Sequence, residues 1–494
     1  MTDTTTRDEL MREGAETTAA PSRSMRAWIL GLVTLSIFMT TVSASILTIA
    51  LPAVVRHFNA SPLESTWLLL TPLMVTTCLL VTLGRVADMT GQRRMFNAGL
   101  VIFTFCAAIA GFSGSAPLLI GVLAIQAIGS TMVMANTGSI VGSIYGGPRL
   151  AWAMGIYLAG VSVGQLIGPT VGGLVADTAG WRWLFWAQVP LALICIVVGA
   201  KALKSLQEQP SRDRKLDIAG SVTLTSALAL LMIGFSNVQT SGLRSMPAIV
   251  CLVGAVALIP VLTLVETRAT DPILQFQLLR QRSFLLPNIA NILSVMPRFA
   301  TIMVAGLYFQ VINGDSALTA GLKVIPMPVG ITIGSVPANR IIVRAGIHIT
   351  GITASTMTTV GLGWLAGALS NEWSLTSILL AFLVLGVGAG LFATVCSTLI
   401  INEAGPGEVG TVNGIRLTLQ NLGGTIAFAL SLAILTSSMP AGSRSNFYGA
   451  SVNNSADSGA LSDGFSTVFV VMIAVSLASG ITLLAAQGRR HTRR

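Results

Sequence analysis

The feature that most constrains this chain is the length of its apolar runs. From about residue 27 to 487, short polar breaks separate stretches long enough to cross a bilayer, which takes about 20 apolar residues per helix. Charged residues make up only 10% of the chain, against about 25% in a soluble domain. Because lipid cannot bond backbone groups, such runs must be helices. The sequence therefore predicts an all-α polytopic membrane protein.

The polar breaks predict fourteen membrane-spanning helices, with twelve or thirteen as open alternatives. The predicted segments are 27–52, 65–84, 95–113, 117–142, 152–174, 181–203, 216–236, 246–266, 284–311, 318–338, 347–369, 374–398, 411–437 and 464–487. Residues 1–25 are polar and of mixed charge, which predicts a disordered tail. The first apolar run is too long for a signal peptide, so we expect it to be the first span.

The placement of basic residues predicts the orientation. Breaks on one side of the predicted membrane hold Arg85, Arg93, Arg94, Arg149, Lys201, Lys204, Arg212, Arg214, Lys215, Arg268, Arg280, Arg282, Arg340 and Arg344, and those on the other side hold only Arg56, Arg182, Arg244 and Arg444. Lys and Arg accumulate in cytoplasmic loops. We therefore expect both termini in the cytoplasm, a basic tail at 489–494, a cell-membrane location and no nucleic-acid partner, despite the net charge of +10.

A Gly- and Arg-rich segment follows the second predicted helix and is echoed after the tenth. The first copy contains Gly84, Arg85, Asp88, Gly91, Arg93 and Arg94, and 339–346 repeats its first Arg and final Gly. This repeat predicts two homologous six-helix halves, at 26–205 and 271–488, with two helices inserted at 206–270. The segment resembles the loop signature of the major facilitator superfamily. We expect it to act as a gate, with Asp88 pairing with an arginine or a helix N-terminus.

The fifth predicted helix carries a glycine ridge. Gly160, Gly164, Gly168 and Gly172 are spaced four apart and share one face, and with Pro169 and Gly173 they form a pattern that resembles the antiporter signature of facilitator-type exporters. That resemblance implies a ridge that packs the two halves together at the outer seal. Four further segments resemble the fourteen-helix drug:proton antiporter family: 180–190, 216–220, 310–321 and 410–424. Membership would imply a monomer that exports hydrophobic or cationic compounds against protons.

The charges inside the predicted spans depart from that family. Ser43 stands where the family usually has an Asp, and no carboxylate or histidine falls at the middle of a span. Proton coupling needs a titrating group near the substrate, and the nearest candidates are Glu64 and Asp315. A mid-helix charge that remains is Arg298, which we expect to face a cavity with Asn288, Asn291, Gln126 and Gln165 as further candidates. Lys323 and Arg416 lie nearer helix ends and are expected to snorkel.

These observations leave more than one function open. The first is export of small amphiphilic or drug-like compounds by alternating access, with or without proton coupling. Buried cations without buried anions favour a second, export of an anionic metabolite or lipid with weak or no coupling. A non-transporting membrane sensor is a minor third. The sequence shows no nucleotide loop, paired carboxylates or metal-ligand spacing, so we expect neither an enzyme, nor a cofactor, nor a bound metal.

Overall fold

The computed structural model describes most of the chain, and in that part every regular element is a helix. The described residues are 22–145, 148–205, 217–241, 245–269, 271, 280–311, 313–315, 317–370, 373–404, 409–437 and 455–486. The predicted tails therefore lie almost entirely outside the described residues. The exception is the end of the first tail, where Ser22 caps a helix that begins at Arg23, four residues before the predicted start.

Seven helices form the N-terminal half, and the sixth predicted span is divided between two of them. Their bounds are α1 (Arg23–Phe58), α2 (Pro62–Thr90), α3 (Gln92–Ala110), α4 (Ala116–Ile144), α5 (Pro148–Thr178), α6 (Trp183–Trp186) and α7 (Gln188–Ala202). A single 3-10 turn, Leu203–Ser205, follows α7. The neighbours α1 and α5, α2 and α4, and α3 and α4 pack along their lengths.

Two inserted helices and eight further helices complete the described chain. The inserted pair is α8 (Ile218–Ser241) and α9 (Met246–Arg268), and the C-terminal half comprises α10 (Arg282–Val311), α11 (Ala317–Val324), α12 (Pro326–Ser335), α13 (Ala338–Ala345), α14 (Ile347–Ser370), α15 (Leu375–Asn402), α16 (Val409–Ser437) and α17 (Ser455–Ala485). The inserted helices pack on each other, and α8 also contacts α2 and α16. Much of α9 is apolar and exposed, as expected of a surface that faces lipid.

Two predicted loops are helical. The Gly84–Phe96 segment was expected to connect two spans, but α2 continues to Thr90, α3 starts at Gln92, and only Gly91, with a φ of 103°, breaks the helix. The segment after the tenth span, which echoes it, forms α13 up to Gly346. Neither segment contains a proline that would stop the helix earlier, and a single glycine supplies each reversal.

The number of spans agrees with the sequence prediction to within one or two. Twelve helices among the described residues are long and apolar enough to cross a membrane, and a thirteenth is formed if α11–α12 and α13, bent by 49°, count as one span. Pro326 and Pro337 stand at the two breaks of this segment. Proline removes a backbone donor and so interrupts the helix at each of them. The 31-residue α5 fills the fifth predicted segment. A total of fourteen stays a prediction.

The two halves meet along α2 with α16 and along α5 with α12. Each half also has its own apolar core, one built mainly from α1, α3, α4, α5 and α7 and the other from α10, α11, α12, α14, α15, α16 and α17. Consecutive spans alternate in direction, so the end of α2 and the start of α16 lie at one surface. We call this surface, where α1 begins and α17 ends, the terminal face.

Candidate gate and substrate site

Asp88 lies near the end of α2 and caps a helix of the other half. Its Oδ1 accepts a hydrogen bond from the Gly410 amide at 3.0 Å, and its Oδ2 accepts from the Thr411 amide and hydroxyl, each at 2.9 Å. Amides in the first turn of a helix have no partner within it and carry the positive end of its dipole. Asp88 is only 4% exposed, so water competes little for these charge-assisted bonds. They join the halves at the terminal face.

The other residues of the signature surround this contact. A Cβ atom on Gly84 would lie 2.6 Å from the Gly410 carbonyl oxygen, so α2 and α16 can approach this closely only with glycine there. Arg85 is buried, Arg93 is half-buried and Arg94 is exposed. Of the two expected partners for Asp88, the structure has the helix N-terminus, and within the described residues Asp88 forms no ion pair with an arginine.

A second contact between the halves is centred on Arg416 and was missed by the sequence analysis. Its guanidinium donates to Asn413 Oδ1 at 2.8 and 3.2 Å and to Ser397 Oγ at 3.0 Å, and it also interacts with Tyr157 on α5. Asn413 Nδ2 in turn donates to the carbonyl oxygens of Met134 and Ala135 on α4, at 3.2 and 3.0 Å. The network therefore ties α15 and α16 to α4 and α5.

The expectation that Arg416 snorkels is wrong. The residue is 1% exposed and lies two turns inside α16, where α4, α5 and α15 enclose it. The spacing of Asn413 and Arg416, three apart on one helix face, is a signal that was available in the sequence. Their partners on α4 and α5 come from the other half, and no local pattern identifies them.

The glycine ridge of α5 packs within the N-terminal half. A Cβ on Gly160 would lie 2.6 Å from Thr34 Cγ2, one on Gly164 2.9 Å from the Phe38 carbonyl oxygen, and one on Gly168 2.6 Å from Ser45 Cβ. Gly172 likewise faces Ile46. These neighbours all belong to α1, so the expectation that this ridge packs one half on the other is wrong. Pro169 and Gly173 lie on the same helix, and their packing lies outside the part of the chain that the structure describes.

A different glycine of α5 meets the other half. Gly155, one turn before the ridge, lies against the backbone of Ser335 and Val336 at the end of α12. Its spacing of five from Gly160 places it off the ridge face. The helix therefore uses small residues twice, on α1 along the ridge and on α12 at Gly155, and close helix approach in membranes depends on such residues.

The candidate substrate residues divide between the halves. Asn288, Asn291 and Arg298 are buried on α10, and their spacings of three and seven place Asn291 near both of the others on the helix surface. Asn288 Nδ2 donates to the Phe284 carbonyl at 2.9 Å. Gln126 is buried on α4 and Gln165 is half-buried on α5. The structure thus brings three of the five onto one helix.

The two candidate proton-coupling carboxylates have local partners. Glu64 accepts from the Ser61 amide at 2.7 Å and from its hydroxyl at 2.9 Å, which completes a capping box at the start of α2. These bonds lower the pKa of Glu64. Asp315 forms a 2.5 Å ion pair with Lys323, so Lys323 is not an isolated buried cation. Both carboxylates have structural explanations, and a role in proton coupling stays a prediction.

Known proteins share this architecture. The family model of the Major Facilitator Superfamily matches residues 33–428. The multidrug transporter protein MdtP of Bacillus subtilis is 25% identical over 416 residues, which cover 82% of this chain and 74% of MdtP. The cephamycin export protein CmcT of Amycolatopsis lactamdurans is 27% identical over 450 residues, covering 87% and 90%. The multidrug efflux pump LfrA of Mycolicibacterium smegmatis is 26% identical, covering 85% and 82%.

A solved structure agrees with the family match at the level of the fold. The human organic anion transporter MFSD10 superposes with a TM-score of 0.67 at 17% sequence identity, covering 93% of this chain and 99% of that one. The range that the family model matches includes the Gly84–Phe96 segment, the inserted pair and α10. This chain belongs to the Major Facilitator Superfamily.

Proposed function

We propose that this protein exports small amphiphilic or drug-like compounds across the cell membrane by alternating access between its halves. As a member of the superfamily it is a multi-span membrane transporter and not an enzyme. Export and multidrug efflux by CmcT, MdtP and LfrA support this substrate class. The observation that carries the mechanism is the Asp88 cap on α16, because hydrogen bonds between helices of the two halves can break and re-form as the halves rock.

The proposed orientation places the terminal face, and with it both termini, in the cytoplasm. The excess of Lys and Arg in the breaks on that side supports this assignment. The bonds from Asp88 and Asn413 that join the halves lie toward this face. In this orientation the structure represents a state that is closed to the cytoplasm, which a transporter adopts after it has carried its substrate across.

Export of an anionic metabolite or lipid, with weak or no proton coupling, is a second candidate. One observation favours it: Arg298 is a buried cation at the middle of α10. The buried carboxylates of the described chain, Asp88 and Glu266, both lie within three residues of a helix end. For a proton-coupled mechanism, the candidates among the described residues are these two carboxylates, with Glu64 and Asp315 nearer the surface. We expect the functional unit to be a monomer under either candidate.

Proteoliposomes that contain the purified protein test the proposal. Uptake of ethidium and of dansyl-labelled amphiphiles is followed by fluorescence, and a pH-sensitive dye in the lumen reports proton movement when each compound is added. We expect uptake above that of protein-free vesicles for at least one compound. Equal rates in the two kinds of vesicle, across the whole panel, would contradict export. Uptake without a lumenal pH change would instead favour the second candidate's weak coupling.

A further inference from the structure

Arg298 differs from the buried Arg416 in having no hydrogen-bond partner among the described residues. Arg416 makes three hydrogen bonds, whereas no described residue accepts one from Arg298, although Arg298 is only 6% exposed. Its closest described interaction is with the ring of the adjacent Phe299, whose centroid lies 5.2 Å from the guanidinium carbon. A buried charge without hydrogen bonds is costly to keep, so its retention calls for a specific reason.

Two structural explanations for Arg298 do not fit. Snorkelling fails because Arg298 lies about 24 Å from the start of α10 and about 20 Å from its end, at 1.5 Å per residue, which exceeds the length of its side chain. Bonding to a carbonyl freed by Pro297 also fails. Proline at 297 leaves the Leu293 carbonyl without its usual amide donor, but no hydrogen bond joins that oxygen to Arg298.

Uncharged polar groups without a partner also lie along α10: Asn288 Oδ1, Asn291 Nδ2 and Thr301 Oγ1. Asn291 lies two turns nearer the start of α10, on nearly the same face, and its Nδ2 has no partner. The Asn291 Nδ2 is fully enclosed, so it does not meet a ligand directly. The guanidinium of Arg298 is the charged donor on this helix for which no described residue supplies an acceptor, and an anion would supply one.

Apolar side chains flank Arg298 on the neighbouring turns of α10. Met296 and Phe299, on the turns around Arg298, belong to or pack on the core of the C-terminal half, and Phe299 packs on Gly424 of α16. Neither Asp88 nor Glu266 lies on α10, and Asp88 is already engaged by α16. A ligand that satisfies this site therefore has an anionic head and an apolar body.

We propose that Arg298 binds the carboxylate or sulfonate head of a monoanionic amphiphile during transport. The inference rests on the proposed export function and names its substrate class. Arg298 supplies the charge and a planar pair of N–H groups that matches two oxygens of the head group. Phe299 and its neighbours contact the apolar body.

Uptake of two probes with the same fluorophore and opposite charge tests this inference. Proteoliposomes are given dansylglycine, a carboxylate, or dansylcadaverine, a cation. We expect the wild-type protein to transport dansylglycine, and Arg298→Gln to reduce that rate by about 10- to 100-fold, the factor for one charge-assisted hydrogen bond. Arg298→Lys keeps the charge but not the planar fork, and its rate should fall in between. Dansylcadaverine uptake by Arg298→Gln should equal or exceed that of the wild type.

The outcomes separate this inference from the function on which it rests. Wild-type uptake of dansylcadaverine alone overturns the anion site and leaves export intact, whereas uptake of neither probe counts against both. Equal losses of both probes in Arg298→Gln would assign Arg298 a structural role and overturn the inference. Thermal unfolding in detergent gives a second test that does not need transport: removal of an unpartnered buried charge should raise the melting temperature of Arg298→Gln, and a fall would reveal a structural partner.

The natural anion could be a lipid or a dissolved metabolite, and vesicle composition distinguishes them. Dansylglycine uptake is compared in phosphatidylcholine vesicles with and without phosphatidylglycerol. Inhibition of wild-type uptake by phosphatidylglycerol that is proportionally weaker in Arg298→Gln would assign the site to a lipid head group. Unchanged uptake would assign it to an amphiphile from solution. Either result is consistent with an anion at Arg298.

Discussion

Arg416 and Arg298, two of the buried arginines, show how the same residue type acquires different surroundings from its partners. Arg416 is surrounded by acceptors from three helices, including the Asn413 amide that also binds α4, so its charge is spread over a network. Arg298 has the ring of Phe299 beside it and no acceptor. The first arrangement stabilises a particular position of the two halves, and the second leaves capacity for a ligand.

Replacing Arg416 should therefore destabilise the protein. In Arg416→Met the volume is similar, but Asn413 and Ser397 lose a buried partner, which costs about 1–3 kcal/mol per unsatisfied group. We expect a lower melting temperature in detergent and slower uptake of every probe by the same factor. Arg416→Lys keeps the charge but not the forked geometry, and should fall in between. A melting temperature equal to the wild type would mean that the network contributes nothing to this state.

The Asp88 cap gives a prediction with a matched control elsewhere in the same helix. Asp88→Asn keeps the shape but removes the charge and turns one acceptor into a donor that faces the Gly410 and Thr411 amides. A capping interaction contributes about 0.5–2 kcal/mol, so transport should slow by roughly 3- to 30-fold. Glu64→Gln likewise removes a carboxylate charge, at the other end of α2 and far from α16, while its amide oxygen can still accept from the Ser61 amide, and it should leave transport within about two-fold of the wild type. Equal effects of the two changes would argue against a gate at Asp88.

Among the elements, α5 has the contact most sensitive to size. A side chain at Gly155 would meet the backbone of Ser335, which cannot rotate away. We expect Gly155→Ala to separate α5 from α12, at a cost of about 1–3 kcal/mol for overpacking, and to reduce uptake. Gly121→Ala on α4 is the control, because nothing lies within 4 Å of a Cβ there. Melting temperatures and uptake rates of the two variants decide the question, and loss of transport in both would remove the link to α12.

How far the sequence predicts these elements depends on whether the signal is local. Apolar length and the four-residue glycine spacing are local, so the helices and the ridge of α5 were correctly predicted. The partner of the ridge is not encoded in the ridge itself, and packing against α1 replaced the expected contact between halves. The polar residues of the Gly84–Phe96 segment predict a loop. In the structure, however, Gly91 alone separates α2 from α3 and reverses the direction of the chain. Tyr157 and Ser397 had no sequence signal at all.

At the scale of the whole molecule, the inserted pair lies beside the contact between the halves. Thr225 of α8 donates to the Cys78 carbonyl of α2 at 3.4 Å, and Thr425 of α16 donates to Met232 of α8 at 3.5 Å. One inserted helix therefore contacts a helix from each half. Weak, long bonds of this kind permit sliding, so the pair can accompany either half without preventing their relative motion.

Alternating access requires that the terminal face opens and closes during each cycle, and a covalent link across it should stop transport. Gly142 on α4 faces Val409 at the start of α16, with 3.7 Å between a Cβ there and the valine Cγ1. Gly142→Cys with Val409→Cys, in a background with the five native cysteines replaced, should be joined by a short bismaleimide or by oxidation. We expect uptake to fall to the level of empty vesicles, and reductant to restore it in the oxidised sample alone.

Leu230→Cys with Gly254→Cys, which lie together within the inserted pair, should cross-link without this loss. Continued transport by the fully cross-linked Gly142–Val409 pair would show that the halves need not separate at this face, and the Asp88 and Arg416 contacts would then be structural rather than part of a gate.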